Sequence, residues 1–445
     1  MKTIPRIVDI STADGRRQFQ RLAASPPTDP AAEELARTVL EAVRRGGDRA
    51  VARYAARFDG VGLSPERFAV TSDEIRAAER AVSGDFRRAV DEVLEHVEAF
   101  ARAGLRRDWI LRTRGGGRLG EVFVPLDRVG VYVPGGASPL ASTALMTIPL
   151  ARVAGVREIA ATSPCRRDGT MEPHVLYAMA RAGATEIYRL GGVQAIAALA
   201  LGTERIRRVD KLVGPGGPFV TAAKRCVYGQ VALDMVAGPS EIAVLADSSA
   251  DPAVVATDLL SQAEHGTGRE RTLLVTDSPD LARTVAEELQ RQGQELPRWP
   301  SVRQVLRTRS LIVCVRDLLT EGTEVVNEFA PEHLEILARV PRRFLPKIRH
   351  AGAVFLGRWT PESAGDFAAG PSHVLPTGGT ARFFSGLTVE DFRRRMSVLE
   401  LTRDDLVELM PAILELARVE ELPAHARSAQ RRLEAMRSWR KLRAW

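Results

Sequence analysis

From about residue 129 to 360, short β-branched and aliphatic runs alternate with stretches whose apolar positions recur every three to four residues. That is the pattern of βαβ units wound around a parallel sheet. A first set of runs comprises VGVYV (129–133), EIAATS (158–163), EIYRL (186–190) and KLVG (211–214). A second comprises EIAVLA (241–246), TLLVT (272–276), LIVCV (311–315) and AVFLG (353–357). Helical stretches such as STALMTIPLARVAG, VQAIAALALG and DPAVVATDLLSQAEHG lie between them. Two sets predict an α/β protein with two Rossmann-like parallel sheets instead of one large sheet. Residues 30–105 are helix-rich, and after Thr388 the pattern is helical again through DDLVELMPAILELARVEELPAHARSAQRRLEAMR.

At 445 residues the chain exceeds what a single core usually organises, and 45% hydrophobic with 27% charged residues marks a folded protein. No apolar run approaches the ~18 residues needed to cross a bilayer, and the start lacks the apolar stretch of a signal peptide. These features predict a cytoplasmic protein with no membrane partner. The net charge of +7 is concentrated in the tail, where residues 426–445 carry seven basic side chains against one carboxylate, Glu434. A nearly neutral body with no zinc-finger or aromatic-interleaved basic pattern argues against nucleic acid as a partner. Cys165, Cys226 and Cys314 are odd in number and widely spaced. They fit neither a disulfide framework nor a thiolate metal site, so buried free thiols are expected.

Gly115, Gly117 and Gly120 in GGGRLG spell the letters of a dinucleotide fingerprint, but they precede a strand instead of joining a strand to a helix. The turns VYVPGG (131–136) and KLVGPGG (211–217) each leave a strand and enter a helix, where backbone can approach a ligand. From spacing alone, nucleotide binding and plain turn chemistry are equally served.

Among the polar groups, His96, His174 and His350 sit in ordinary helical contexts. Gln262 and His265 in SQAEH are three apart, on one face of the predicted helix, where both could reach one metal ion. Glu332 and His333 follow Pro331 at an expected helix start, which suits either an acid/base pair or a cap. Asp366 and His373 lie in ESAGDFAAGPSHVLPTGG, read as an irregular loop, and His425 follows ELPA near the last helix. Gln262, His265, Asp366 and His425 would form a nitrogen- and oxygen-rich set suited to zinc in a catalytic site.

The segments RFDG (57–60), RVGVYVPGG, LGGVQAIAALALGTE, VDKLVGPGG, AGPSE, SQAEH, APEHLEI and ELPAH, with the loop around Asp366 and His373, resemble the histidinol dehydrogenase family along nearly the whole chain. The resemblance implies a zinc-dependent homodimer that oxidises L-histidinol through histidinal to L-histidine with two NAD, the last step of histidine synthesis. It also implies an N-terminal arm (1–26), a discontinuous zinc and substrate domain (27–125 and 239–385), an inserted NAD domain (126–238) and a helical dimerisation tail (386–445). Carried onto matching positions, the zinc ligands are Gln262, His265, Asp366 and His425, the last donated by the other subunit. Glu332 and His333 match the catalytic pair. Ser240, His373 and Glu420 match substrate contacts, and Tyr132 and Gln194 match NAD contacts. Three positions depart: Gly217 stands where the family has asparagine, Ser372 replaces the asparagine of GPNH, and Glu421 replaces the glycine after Glu420.

The resemblance implies that zinc positions the substrate, that His333 takes the alcohol proton, and that Glu332 then activates the water that adds to the aldehyde. A paralogue acting on another amino or sulfonated alcohol, a zinc hydrolase and a non-catalytic dimer are the alternatives.

Overall fold

The computed structural model describes residues 5–24, 29–135, 139–236, 238–265 and 268–442, with side chains through Glu434. Gly136 of the first glycine turn, both ends of the N-terminal arm and the basic side chains beyond Glu434 lie outside them. Two compact units are present: residues 1–104 with 126–392, and residues 105–125 with 393–445.

The first unit holds two parallel sheets. In the five-stranded sheet the order is Glu186–Tyr188, Glu158–Thr162, Arg128–Tyr132, Lys211–Val213, Ala232–Leu233. Numbered along the chain this is 3-2-1-4-5, so winding reverses between Arg128–Tyr132 and Lys211–Val213, and the carboxyl ends of these two strands form the switch point at which sheets wound this way usually bind ligands. Arg128, buried at the start of the first strand, reaches Glu158 at 2.9 Å and Glu186 at 2.7 Å and ties the amino ends of three strands together. The helix Pro30–Phe58, capped by Asp29 and interrupted at Gly47, packs against Gly192–Leu201 and Pro218–Val227. The core over this sheet therefore draws on residues 32–68 as well as 132–231.

The six-stranded sheet runs Arg6–Asp9, Ser310–Cys314, Arg271–Thr276, Glu241–Ala246, His333–Leu337, Ala353–Leu356. Its last five strands repeat the 3-2-1-4-5 winding, and the N-terminal arm adds a parallel edge strand, paired from Arg6 opposite Leu311 to Asp9 opposite Cys314. The arm's remaining described part is the helix Ala13–Ala23. Strands such as Glu241–Ala246 and Arg271–Thr276 are buried throughout, as the unbroken apolar runs require of a sheet covered on both faces. One apolar cluster covers each face.

In the second unit, Trp109–Arg112, Arg118–Pro125 and Arg393–Glu400 form an antiparallel sheet, followed by helices Arg403–Val419 and Pro423–Leu442. The strand Arg393–Glu400 corrects the expectation of continuous helix after Thr388. RRRMSVLE is exposed nearly throughout and pairs along its whole length with Arg118–Pro125. The rejected glycine motif is a turn: N–H groups of Gly115 and Gly117 donate to the Asp405 carboxylate at 2.8 and 3.0 Å. All three cysteines are free and half-buried, less enclosed than expected, and burial raises the Cys165 and Cys314 thiols. No helix among the described residues is long and apolar enough to cross a membrane.

Candidate active site

The polar constellation lies at the amino ends of the six-stranded sheet. The helix Thr323–Phe329 stops at Ala330, which adopts a left-handed φ of 51° and donates its N–H to Val326 O at 2.8 Å. A non-glycine residue held there is strained, and such strain persists where the surroundings over-determine it. The chain then turns through Pro331 into the strand beginning at His333. Glu332 and His333 therefore sit at a strand start, not at the helix start that Pro331 suggested. Both are buried.

Glu332 Oε2 accepts the N–H of Glu241 at 3.0 Å. Burial pushes its carboxyl up to about 8, against the opposing pull of His333 and of that N–H. His333 Nδ1 is surrounded by oxygens: Gln262 Oε1 at 3.1 Å, the Glu241 carbonyl at 3.2 Å and Glu362 Oε1 at 3.4 Å. A carbonyl can only accept, so Nδ1 carries the proton and Nε2 is the atom that gains and loses one. Nε2 is buried without a hydrogen-bond partner, 3.4 Å from Asp366 Oδ1. Burial disfavours the imidazolium, yet the carboxylates of Glu332, Asp366 and Glu362 outweigh it and raise His333 to about 10.

Gln262, fully buried, ends the helix Pro252–Ala263. His265 lies beyond the Glu264 cap instead of on the helical face expected, but one further turn, closed by the His265 N–H donating to Gln262 O, still brings its Nδ1 to 3.4 Å from Gln262 Nε2. Asp366 belongs to a short helix, Glu362–Phe367, which corrects its placement in an irregular loop. Burial works against its charge, while His333, His373 and His265 hold its carboxyl below the usual range. His373 Nδ1 donates to the Asp366 carbonyl at 2.9 Å, and its buried Nε2 has no partner. Burial lowers this imidazole and keeps it neutral as a base or ligand. Ser240 precedes Glu241, whose N–H holds Glu332, so it enters the same neighbourhood along the chain.

Two carboxylates escaped the sequence reading. Glu362 is buried, accepts from Ser261 Oγ at 2.7 Å, and leaves Oε1 aimed toward His333 without a hydrogen-bond partner. His333, Glu362 and Asp366 offer ligand atoms all within 4.8 Å of one another. The i, i+4 spacing of Glu362 and Asp366 after Pro361 was the available signal. Glu241, buried and paired with Arg271, accepts the Gly378 N–H at 3.0 Å and so fastens the loop that follows His373.

Tyr132 and Gly217 lie at the switch point of the five-stranded sheet. Burial pushes the Tyr132 phenol up to about 12, and its oxygen accepts the Gly192 N–H at 3.2 Å. Gly214 has φ 110°, and a Cβ there would collide with the Tyr132 carbonyl, so only glycine lets the two strand ends meet. Gln194 is fully buried near the start of Gly192–Leu201. Glu420 and His425 fall in the second compact unit, Glu420 capping Arg403–Val419 and His425 in the first turn of Pro423–Leu442. Within unit one the fold thus gathers Gln262, His265, Glu332, His333, Asp366 and His373 and sets Tyr132, Gln194 and Gly217 around the other sheet's switch point.

Residues 24–433 match the family model described as histidinol dehydrogenase. The histidinol dehydrogenase of Moorella thermoacetica is 47% identical over 398 residues, 89% of this chain and 93% of that one. That of Geobacillus kaustophilus is 46% identical over 405 residues, 90% and 95% of the two chains. The crystal structure of histidinol dehydrogenase from Elizabethkingia anophelis superposes with a TM-score of 0.93 at 33% identity, covering 98% of this chain and all of the other. The chain belongs to the histidinol dehydrogenase family and is an oxidoreductase of histidine biosynthesis.

Proposed function

We propose that the protein carries L-histidinol through L-histidinal to L-histidine, using zinc and two NAD. The observation that carries this reading is His333, buried beside Glu332 with Nδ1 fixed as a donor and Nε2 free. A base and a second base for water, side by side, are what two successive oxidations with one intervening hydration require.

The residues present fit both groups. Around His333 the carboxylates of Glu332, Glu362 and Asp366 crowd a pocket in which the nearby protein cation is His333 itself, and the buried Nε2 atoms of His333 and His373 lack partners. Burial alone disfavours ionisation of Glu332 and Glu362, and a bound cation among these carboxylates would favour their charged forms. Gln262, His265 and Asp366 would hold zinc together with the partner's His425. Tyr132, Gln194 and the Gly217 turn would hold NAD, and the buried, unpartnered Oε1 of Gln194 fits a bound donor. When bound, zinc supplies Lewis-acid anchoring of the substrate's imidazole and amine, and NAD accepts the hydride of each oxidation.

His333 Nε2 takes the alcohol proton in the first oxidation. Its basicity depends on Asp366: a cation engaging that carboxylate weakens the field that holds the imidazole proton. Glu332, pinned by the Glu241 N–H, takes the proton from the water that adds to the aldehyde, and His333 deprotonates the hydrate as the second hydride leaves. Ser240 and His373, with Glu420 of the partner subunit, would orient the substrate. The homodimer is supported by the second unit's exposed apolar side chains, among them Ile110, Leu111, Leu399, Leu416 and Val419. An area of this kind is typical of a surface that is covered in an assembly.

Purified protein with zinc, NAD and L-histidinol should form two NADH per histidine, lose activity on chelation and regain it with zinc. Full activity of protein shown metal-free by elemental analysis would refute the zinc reading. Turnover without NAD would point to a hydrolase.

A further inference from the structure

The RFDG segment has no role in the chemistry above, yet its aspartate sits where the cofactor turn is organised. Asp59 caps the C-terminus of Pro30–Phe58, and its Oδ2 accepts from Gln194 Nε2 at 2.8 Å. A carboxylate can only accept, so this contact decides which way the Gln194 amide faces. The nitrogen is committed to Asp59. Oε1 is left as an acceptor, fully buried and without a partner. It lies beside Gly192, whose φ is 59° and where a Cβ would stand 3.1 Å from it. The Gly192 N–H in turn donates to Tyr132. Asp59, Gln194, Gly192 and Tyr132 thus form one connected set near the switch point. A buried acceptor with no donor is costly unless something supplies one.

We propose that Asp59 is a positioning residue for cofactor recognition: it locks the Gln194 amide so that Oε1 accepts a hydrogen bond from an N–H or O–H donor of the dinucleotide, a carboxamide or a ribose hydroxyl. This rests on the reading of Gln194 as an NAD contact. It follows that Gln194 is oriented against phosphate oxygens, which offer no donor.

Calorimetric titration of the full-length enzyme with NAD tests it. Gln194→Ala and Asp59→Asn should each weaken NAD by about threefold to tenfold, the worth of one hydrogen bond. In Asp59→Asn the loss arises because an asparagine can donate and lets the glutamine amide turn over. The paired exchange Asp59→Asn with Gln194→Glu restores the pattern with roles swapped: the introduced asparagine donates, and a carboxylate oxygen of the introduced glutamate faces outward as an acceptor. NAD affinity should return to within about twofold of the parent. A merely structural aspartate would not be rescued this way. Unchanged affinity in Gln194→Ala would refute the underlying contact. Weakened binding in Gln194→Ala with unchanged binding in Asp59→Asn would overturn the positioning role alone. If Asp59→Asn does not fold, the paired exchange decides: folded and tight supports the inference, folded and weak or unfolded overturns it.

Discussion

Glu421→Gly should stiffen the turn that separates Glu420 from His425. The helix Arg403–Val419 ends with Glu420 near φ −85°, and Glu421 then takes φ 56°. Glu421 N–H donates to Arg418 O at 3.3 Å and Leu422 N–H to Ala417 O at 2.8 Å, the two reversed hydrogen bonds of a left-handed helix end. The family resemblance implies glycine at this position, and a Cβ in that conformation costs about 1–2 kcal/mol. Glycine removes this penalty but gains freedom in the unfolded chain worth about 0.5–1 kcal/mol. Removing an anion from the negative end of the helix adds a few tenths, about 0.3 kcal/mol. The net gain is about 1 kcal/mol, a factor of about five in the local opening equilibrium. Amide hydrogen exchange in the full-length protein reads that quantity locally. Amides of Glu420 and Leu422 should exchange about fivefold more slowly, while those of Glu241–Ala246 stay unchanged. Equal or faster exchange would refute the strain argument. Because Glu420 and His425 flank the turn, KM for histidinol should hold or fall.

Glu332→Gln can keep accepting the Glu241 N–H through its amide oxygen, so the fold should survive while aldehyde oxidation falls by about 10²–10⁴ in single-turnover kinetics. The alcohol step should fall less, and equal losses would contradict the division of labour. On the proposed role of Glu332 as the carboxylate base, whose pKa burial raises, aldehyde oxidation should rise with pH up to about 8, and this limb should vanish in the glutamine variant. Gly217 has φ −65° with open space around its Cβ position, so Gly217→Asn meets no steric cost and adds a favoured helix cap. NAD should bind tighter by about 0.5–1.5 kcal/mol in calorimetry, and unchanged affinity would mean that the turn is built around glycine. Mixing His425→Ala subunits with Glu332→Gln subunits should return up to about half of the parental activity per heterodimer, since a two-fold interface puts both lesions in one site and neither in the other. Verified heterodimers without activity would count against shared sites.

Periodicity carried most of the fold. Buried parallel strands read as unbroken apolar runs, so VGVYV and EIAVLA announced themselves without reference to partners. The strand Arg393–Glu400 did not, because it is exposed nearly throughout and its identity depends on a pairing more than 260 residues away with Arg118–Pro125. The site was legible as residue types but not as contacts. His265, past its helix end, and Asp366, inside a short helix, were each assigned the wrong local structure, yet the chemistry of their side chains was read from segments that tolerate such errors. Glu362 and Asp59 stayed invisible for a different reason. Both lie in segments the sequence singled out for other residues, and the significance of each carboxylate is a 3.4 Å or 2.8 Å approach to a residue apart along the chain, which no pattern of residue types encodes.

The two sheets wind alike but present opposite ends to chemistry, and the reason is local. At the carboxyl ends of the five-stranded sheet, Tyr132 and Gly214 leave adjacent strands at the switch point of the winding, the usual place for a dinucleotide. At the amino ends of the six-stranded sheet, the first residues of strands Glu241–Ala246 and His333–Leu337 supply the Glu241 N–H that fixes Glu332 and the Glu241 carbonyl that fixes His333. Those groups are available because strand ends leave backbone donors and acceptors outside the ladder. Adjacent parallel strands hold them in register, with His333 opposite Ile242. Glu332 and His333, the proposed acid/base pair, are thus held at the ends of the same strands whose hydrogen bonding sets the sheet. Loosening the pairing of these two strands should therefore cost turnover before it costs the fold.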